Sequence, residues 1–564
     1  NDDVENVKAT AYKKSVWLSA FKEQDEAAGS LYSECVKIAG TDPEHPEFSS
    51  YTSVGWVNQK SPYTPDELLS LQVSDLVYTL NTYQDPGNFH GEGIEGLVKA
   101  FKQLVKTKPE FVISNLSTFL ELELPFVYEL IEAFRELWKE EARIDWDKSW
   151  PLLLSFLTEV LVKDEFWTKP ECNTSDAFVA SSNWIVGAIG RLIESASESD
   201  DIAFPASNIP AAKTVLKTVL NNQSGEVFDM KSDAVSVAIN SARGRCLQGL
   251  INLALFACRT EQKEAGQHRD AWIEFENIFS EELRRSERNE FEFATLVANY
   301  LHNFLYMSNE WVIENLGSIF NQSNDVQWMC AIQGYSYVNN IHPVVYDHLK
   351  TNGDFLRALD DENIKSKVMD RYIQFICIYF LRGNESLEDQ TSMISCLLAR
   401  NIPDEIHQII WFIWTLRKDK NLRVDEKVFE LWPKLRSIID LETKAGRKLA
   451  SMLCHWAVFV DELNNEKLEW LLEIAPFAEE DHNSYDLLKS LARLSAKYPI
   501  EAQKVWAALL SSYSYDYPEE SIKKIFENLI ASGNEGKQKA KDIAGLYLKY
   551  DLDRPREWLA ELSS

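Results

Sequence analysis

Gly91-Glu92-Gly93-Ile94-Glu95-Gly96 fits the pattern G-x-G-x-x-G, the nearest approach to a nucleotide-binding motif in this chain. A dinucleotide fingerprint works because a strand feeds a glycine turn into a helix whose N-terminal N–H groups meet pyrophosphate. Here turn sequence, Asp85-Pro86-Gly87-Asn88, precedes the glycines, and Glu92 and Glu95 stand where a pyrophosphate has to come. The segment reads as a turn followed by a helix start. No G-x-x-x-x-G-K-[ST] phosphate loop occurs anywhere.

Other chemistry-bearing groups are scattered. His342 and His348 flank Asp347, and Cys454 adjoins His455, but neither set gives ligands at a converging spacing such as H-E-x-x-H. No G-x-S-x-G nucleophile elbow occurs. The pairs Glu121/Glu123, Glu140/Glu141 and Glu479/Glu480 are unremarkable in a chain with 88 acidic residues. The eight cysteines form no C-x-x-C pair, and several, such as Cys377, sit in apolar helical stretches, as reduced core thiols do. No residue is assigned to catalysis, a cofactor or a metal, and the segment is expected to be no enzyme. Six aromatics, Trp328, Tyr335, Tyr337, Trp411, Phe412 and Trp414, have the character of interface anchors, although helical spacing favours core for most of them.

Charge narrows the partners. With 58 basic and 88 acidic residues the net charge is −30, which repels phosphate backbones and anionic lipid. Two basic clusters interrupt it, Arg284/Arg285/Arg288 and Arg417/Lys418/Lys420/Arg423. They read first as solvated helix faces or helix C-terminal charges, and second as a patch for an acidic partner. No apolar run reaches the roughly 20 residues that span a bilayer. The expectations are a protein partner, no nucleic acid, no membrane and a cytoplasmic location. The chain opens on Asn1 rather than Met, which suggests a segment of a longer polypeptide.

The elements that carry these residues read as helices. The 21 Gly and 18 Pro fall below ordinary usage of roughly 7% and 5%, so turns are few and elements long. Thr64-Pro65-Asp66-Glu67 is a capping sequence before an apolar stripe through Leu68, Leu76 and Leu80, and Thr107-Lys108-Pro109-Glu110 repeats the logic. Further helices are expected at about 93–105, 111–120, 125–137, 150–162, 183–195, 232–259 (one helix or a close pair), 406–416, 499–510, 519–531 and 537–550. The small residues of Ser241-Ala242-Arg243-Gly244-Arg245-Cys246 permit close helix approach. The weak strand candidate is Gly334–Val338. Joints are expected at Asp42–Ser61, Glu171–Asp176, Ala196–Pro210 and Asn221–Asp233. Far beyond the size of one core, the chain is expected to be all-α: a degenerate helical-repeat array, an α-solenoid of HEAT/TPR-like helix pairs. Its expected parts are a connector (1–60), two helical-repeat segments (61–230 and 231–480) and a C-terminal helical cap (481–564).

Three stretches carry a family resemblance. They are Ser61-Pro62-Tyr63-Thr64-Pro65-Asp66-Glu67-Leu68 through Gly96-Leu97 to Lys108-Pro109-Glu110; Asn240-Ser241-Ala242-Arg243-Gly244 through Leu253-Ala254 to Trp311-Val312 and Trp328; and Tyr498-Pro499 with Ala502 and Leu509-Leu510. In this order the chain resembles the C-terminal helical-repeat region of large bacterial antiphage ATPases of the STAND or AVAST-like group, and the arrays of related sirtuin-linked defence proteins. The resemblance implies an ATPase or other effector upstream. It also implies a sensor role, in which the array binds a phage structural or packaging protein and relieves autoinhibition, as part of an oligomer. The alternative is a structural scaffold that holds subunits of a cytosolic assembly together.

Overall fold

The computed structural model describes residues 2–43, 46, 60–85, 91–168, 180–288, 290–422, 424–481, 483–511 and 516–563. Most of the Asp42–Ser61 joint, the whole Glu171–Asp176 joint, Cys172, Arg423 and the side chains of Glu479 and Glu480 lie outside them. Among the described residues the protein is all-α, a packed helical array that is 74% helical, with 32 α-helices and no strand. No helix among them is long and apolar enough to cross a membrane. They fall into two compact units, one running to Leu104 and one from Val105 onward.

In the first unit the stretch expected as a connector carries two helices, Asp2–Leu18 and Glu26–Ala39, packed on each other. The capping sequence at Thr64 forms as expected. Glu67 N–H donates to Thr64 Oγ1 at 3.3 Å, Thr64 N–H donates to Glu67 Oε2 at 2.7 Å, and Pro65 takes the first helical position. The stripe that follows divides at Leu71 and Gln72 into two helices, Pro65–Ser70 and Val73–Thr82. The six-residue glycine sequence is a bend and an isolated bridge leading into a helix start at Ile94, and the expected turn before it lies largely outside the described residues. Lys60 makes an isolated bridge with Glu92, and a Cβ at Gly96 would fall 2.1 Å from the Lys60 carbonyl oxygen. Asp85 accepts from Ile94 N–H at 2.8 Å, so a carboxylate of the chain itself occupies the helix start that a pyrophosphate would need.

The second unit begins with a departure from expectation. The helix expected over 111–120 is two short ones, Pro109–Ser114 and Leu116–Phe119. Asn115 sits between them and its side chain donates to the Phe111 carbonyl at 2.7 Å, offering the backbone an alternative to a continued helix. Thr107 is the last residue of the helix Ile94–Thr107 rather than a cap, because Pro109 at the first helical position makes Lys108 the capping residue. Gly334–Val338, the strand candidate, is the end of the helix Asp325–Tyr335 and a turn. The 232–259 stretch is the close pair, Ala234–Asn240 and Ala242–Ala265, capped by Asp233 and Ser241.

The small residues expected to bring helices together do so at the crossing of Ser182–Ser197 and Ala242–Ala265. A Cβ on Gly190 would lie 2.6 Å from the Arg245 carbonyl, and one on Gly249 would lie 2.8 Å from the Gly190 oxygen. Cys246 Sγ is 3.2 Å from the Val186 carbonyl in the same seam. Beside it, Arg243 is fully buried. Its Nη1 donates to the Leu220 carbonyl at 2.7 Å and the Gln223 carbonyl at 2.8 Å, and its Nη2 pairs with Glu282. Arg285 Nη1 donates to the same Leu220 carbonyl at 2.6 Å. The last carbonyls of the helix Ile209–Asn222, left unsatisfied by their own helix, are thus capped by two guanidinium groups from two neighbouring helices.

Toward the C-terminus helices pack both on the next helix and on the second helix along. Ser366–Leu381 packs on Pro403–Thr415, which packs on Lys444–Leu453. Ser484–Leu494 packs on Glu519–Ala531, and that on Arg554–Ser563. Between them, Asn465–Ile474 packs on Pro499–Leu509, and that on Asn534–Tyr547. Junctions repeat a device: a glycine in the first turn abuts a carbonyl near the end of the preceding helix. The missing Cβ would meet Ala238 O at 1.8 Å from Gly244, Asp440 O at 1.9 Å from Gly446 and Leu529 O at 2.0 Å from Gly536.

One buried acid is in tension with its surroundings. Glu292 opens the helix Glu292–Asn299; Oε1 accepts from Glu226 N–H at 2.8 Å, and Oε2 is buried without a hydrogen-bond partner. Burial pushes its carboxyl above the ordinary range, against hydrogen bonds from the Glu226 and Glu292 N–H groups and the field of Arg243. The folded state therefore holds this proton more tightly than the unfolded chain, so the group's contribution to stability is greatest at low pH. That contribution is lost as pH rises from the ordinary carboxylate value through the raised folded one.

Two expectations follow. Gly190→Ala drives a methyl into backbone that cannot yield and lowers stability by about 2 kcal/mol or more, read from the urea midpoint; an unchanged midpoint would contradict the crossing. Glu292→Gln removes a titrating group, so its stability relative to wild type improves between pH 4 and pH 8, measured by urea unfolding at each pH. A change in the opposite direction would overturn that assignment.

Candidate docking groove

The six candidate aromatics separate cleanly by burial. Trp328, Tyr335 and Phe412 are core. Trp328 Nε1 donates to Asp354 at 2.7 Å and the Arg357 guanidinium lies 3.7 Å over its ring. Trp414 is half-buried between the His455 ring at 4.3 Å and the Arg417 guanidinium at 4.1 Å. Tyr337 and Trp411 remain exposed, at 46% and 39%. Both line the same groove, of about 620 Å³.

Three elements build this groove. Tyr337 stands in the turn that ends Asp325–Tyr335, and Trp411 projects from Pro403–Thr415. Between them lies the N-terminal half of Ser366–Leu381, with Asp370, Arg371 and Gln374 on the wall and Lys365 and Lys367 at the helix start. Arg371 fixes the turn: its Nη2 donates to the Val338 carbonyl at 2.6 Å and the Asn339 carbonyl at 2.9 Å, and its Nη1 to Gln374 Oε1 at 2.9 Å. Lys367 Nζ sits 5.7 Å over the Tyr337 ring. Burial and the Asp233 carboxylate push the Tyr337 phenol up, so it is a neutral donor at physiological pH. Burial likewise pushes the Asp370 carboxyl up, with His407 pulling it back.

The electrostatics of the groove oppose those of the whole chain. Lys365, the N-cap, and Lys367, in the first turn, are cations at the positive end of a helix macrodipole, where carboxylates are the stabilising residues. With Arg371 they give three positive charges on the wall against Asp233 and Asp370. Sequence reading passed over them. The legible signal was Lys365-Ser366-Lys367 opening an apolar helix, the reverse of the usual charge order.

Three members of the basic clusters singled out from sequence are engaged by the chain itself, while Arg288, Lys418 and Lys420 are exposed. Arg284 pairs with Glu281 at 2.6 Å, Arg285 caps a helix, and Arg417 Nη1 donates to the Trp414 carbonyl at 3.1 Å. His342 lies 6.4 Å from the His302 ring, His348 meets Asn352 at 2.9 Å, and His455 Nδ1 pairs with Asp486 at 2.6 Å. Glu140 pairs with Lys106 at 2.8 Å. Among the described residues no group of three or more His, Cys, Asp or Glu side chains is placed to hold a metal ion. No family model, curated protein or solved structure matches the chain.

Six of the seven described cysteines are buried, the exception being half-buried Cys396. Burial pushes Cys246 and Cys258 up to about 12 and Cys330, Cys377 and Cys454 higher still, which keeps these five as thiols. In the native protein they are expected to resist iodoacetamide at pH 8 and to react only on denaturation, scored by peptide mass spectrometry. Rapid native labelling of Cys246 or Cys377 would contradict this packing.

Proposed function

We propose that this chain is a protein-recognition array, that its helices form a degenerate α-solenoid of HEAT/TPR-like pairs, and that the Tyr337–Trp411 groove receives an acidic segment of its partner. The observation that carries the reading is this pair of exposed aromatics in one groove beside Lys365, Lys367 and Arg371. Tyr, Trp and Arg dominate interface hot spots, and an acidic partner would relieve the unfavourable cations at the helix start. The packing of C-terminal helices on both the next helix and the second along supports a solenoid.

The biological setting in this proposal comes from the sequence resemblance. The array is the target-sensing region of a cytoplasmic bacterial antiphage protein. Its partner is a phage structural or packaging protein, and binding releases an upstream effector, with no turnover by the array itself. A scaffold is the second reading, favoured by a separate feature: Trp17, on the first helix, is 78% exposed and shares a groove with Leu31 and Ile38 on the second, an apolar face suited to holding a subunit.

Capture from phage-infected cells tests the choice. The sensor reading expects one phage protein in stoichiometric amount, reduced about tenfold or more by Tyr337→Ala with Trp411→Ala, at an unchanged melting temperature. Recovery of general chaperones alone, or equal capture by the double variant, would sink it. A stable larger species by light scattering without infection, lost in Trp17→Glu, would move the assignment to the scaffold.

A further inference from the structure

A smaller cavity of the second unit, about 300 Å³, is lined by Tyr128, Trp184, Arg191, Asn240, Ala242 and Arg245 among others. It lies beside the Gly190–Gly249 crossing, and its two guanidinium groups have less negative charge around them than they could use. Arg191 shares one carboxylate with Arg135: Arg191 Nη2 is 2.8 Å from Glu132 Oε1 and Arg135 Nη2 is 2.7 Å from Oε2. Both oxygens of that buried Glu132 are therefore taken. Arg245 is half-buried and makes one side-chain hydrogen bond, from Nη2 to Asn240 Oδ1 at a long 3.3 Å, with no ion pair among the described residues. Burial and repulsion from Arg191 push it below the usual guanidinium range, with Glu194 pulling the other way. Glu194 is itself pushed up by burial and by Glu198. Glu226, the one carboxylate on the wall, is exposed.

The remaining walls suit an anion with an organic body. Ala242 is the first residue of a 24-residue helix, so its N–H belongs to the unsatisfied, positive end, and the cap Ser241 Oγ is engaged by Gly244 N–H at 2.9 Å. Tyr128 and Trp184 meet edge to face at 5.5 Å and offer an apolar side. A cavity of this size takes one small molecule rather than a chain segment.

We infer that this cavity binds a small oxyanion, a phosphate or carboxylate group, gripped by Arg245 and assisted by the Ala242 N–H and the charge of Arg191. The planar fork of Arg245 suits either group. Titration calorimetry on the full chain, with inorganic phosphate and with succinate as separate probes, tests it. The expected result is saturable binding of at least one probe, weakened about tenfold or more in Arg245→Gln, partly restored in Arg245→Lys, and unchanged in Arg284→Gln, an exposed arginine far along the chain. Preference for phosphate assigns a phosphorylated ligand, and preference for succinate a carboxylic acid. No saturable binding of either probe, wild-type affinity in Arg245→Gln, or an equal loss in Arg284→Gln would overturn the site. Protein capture by the Tyr337–Trp411 groove is read independently, so either result stands if the other fails.

Discussion

Backbone meets backbone at the Gly190–Gly249 crossing, and the surrounding part of the second unit is arranged around that contact. Because neither glycine carries a Cβ, Ser182–Ser197 and Ala242–Ala265 approach closely enough for Gly190 to face the Arg245–Cys246 peptide. The Ser241 cap sets where Ala242–Ala265 begins, and that start places Arg243 at the end of Ile209–Asn222 and Arg245 beside the small cavity. A buried guanidinium is costly unless its donors are met. Here two carbonyls and Glu282 meet them, with the Glu290 carboxylate 3.2 Å away as a second ion pair, so the charge becomes a joint between three helices rather than a defect.

The same economy of space recurs at helix junctions. Gly244, Gly446 and Gly536 each let a new helix start tuck against the end of the last one. In the first two a Ser or Thr stands three residues earlier and accepts the glycine N–H, so cap and close approach are one local unit. Charge follows a different rule. The chain is strongly acidic, yet several arginines, among them Arg191, Arg243, Arg285 and Arg371, turn to backbone carbonyls or a shared carboxylate. Lys365 and Lys367 are conspicuous because they sit at the wrong end of a helix and face a groove.

The helices were largely legible from sequence, because Pro at first positions, capping side chains and 3.6-residue stripes act locally. Glu519–Ala531 was placed to the residue, and the Thr64 capping box formed as drawn. Boundaries failed where a side chain competed with the backbone, as Asn115 does, or where Pro109 moved the cap by one residue. The hairpin of Asp2–Leu18 and Glu26–Ala39 escaped notice because its first helix has a diffuse apolar stripe, and Trp17, its largest side chain, points to solvent. The candidate groove was half legible. Tyr337 and Trp411 were singled out, but exposure depends on which neighbours a helix acquires. Composition could not separate them from Trp328 and Tyr335, which the fold buries. Arg371 and Arg245 were invisible as a wall and a grip, since each gains its role from residues that the fold brings to it.

Packing on the second helix along has a consequence for how much a sequence of this kind can drift. Each helix of such an array has to fit its immediate neighbours and the helices two along, and little else. Helices far apart impose no common template on one another, so lengths and residues can wander pair by pair while the seams stay tight. A chain built this way can stack its helices without any repeat length to be read from its letters.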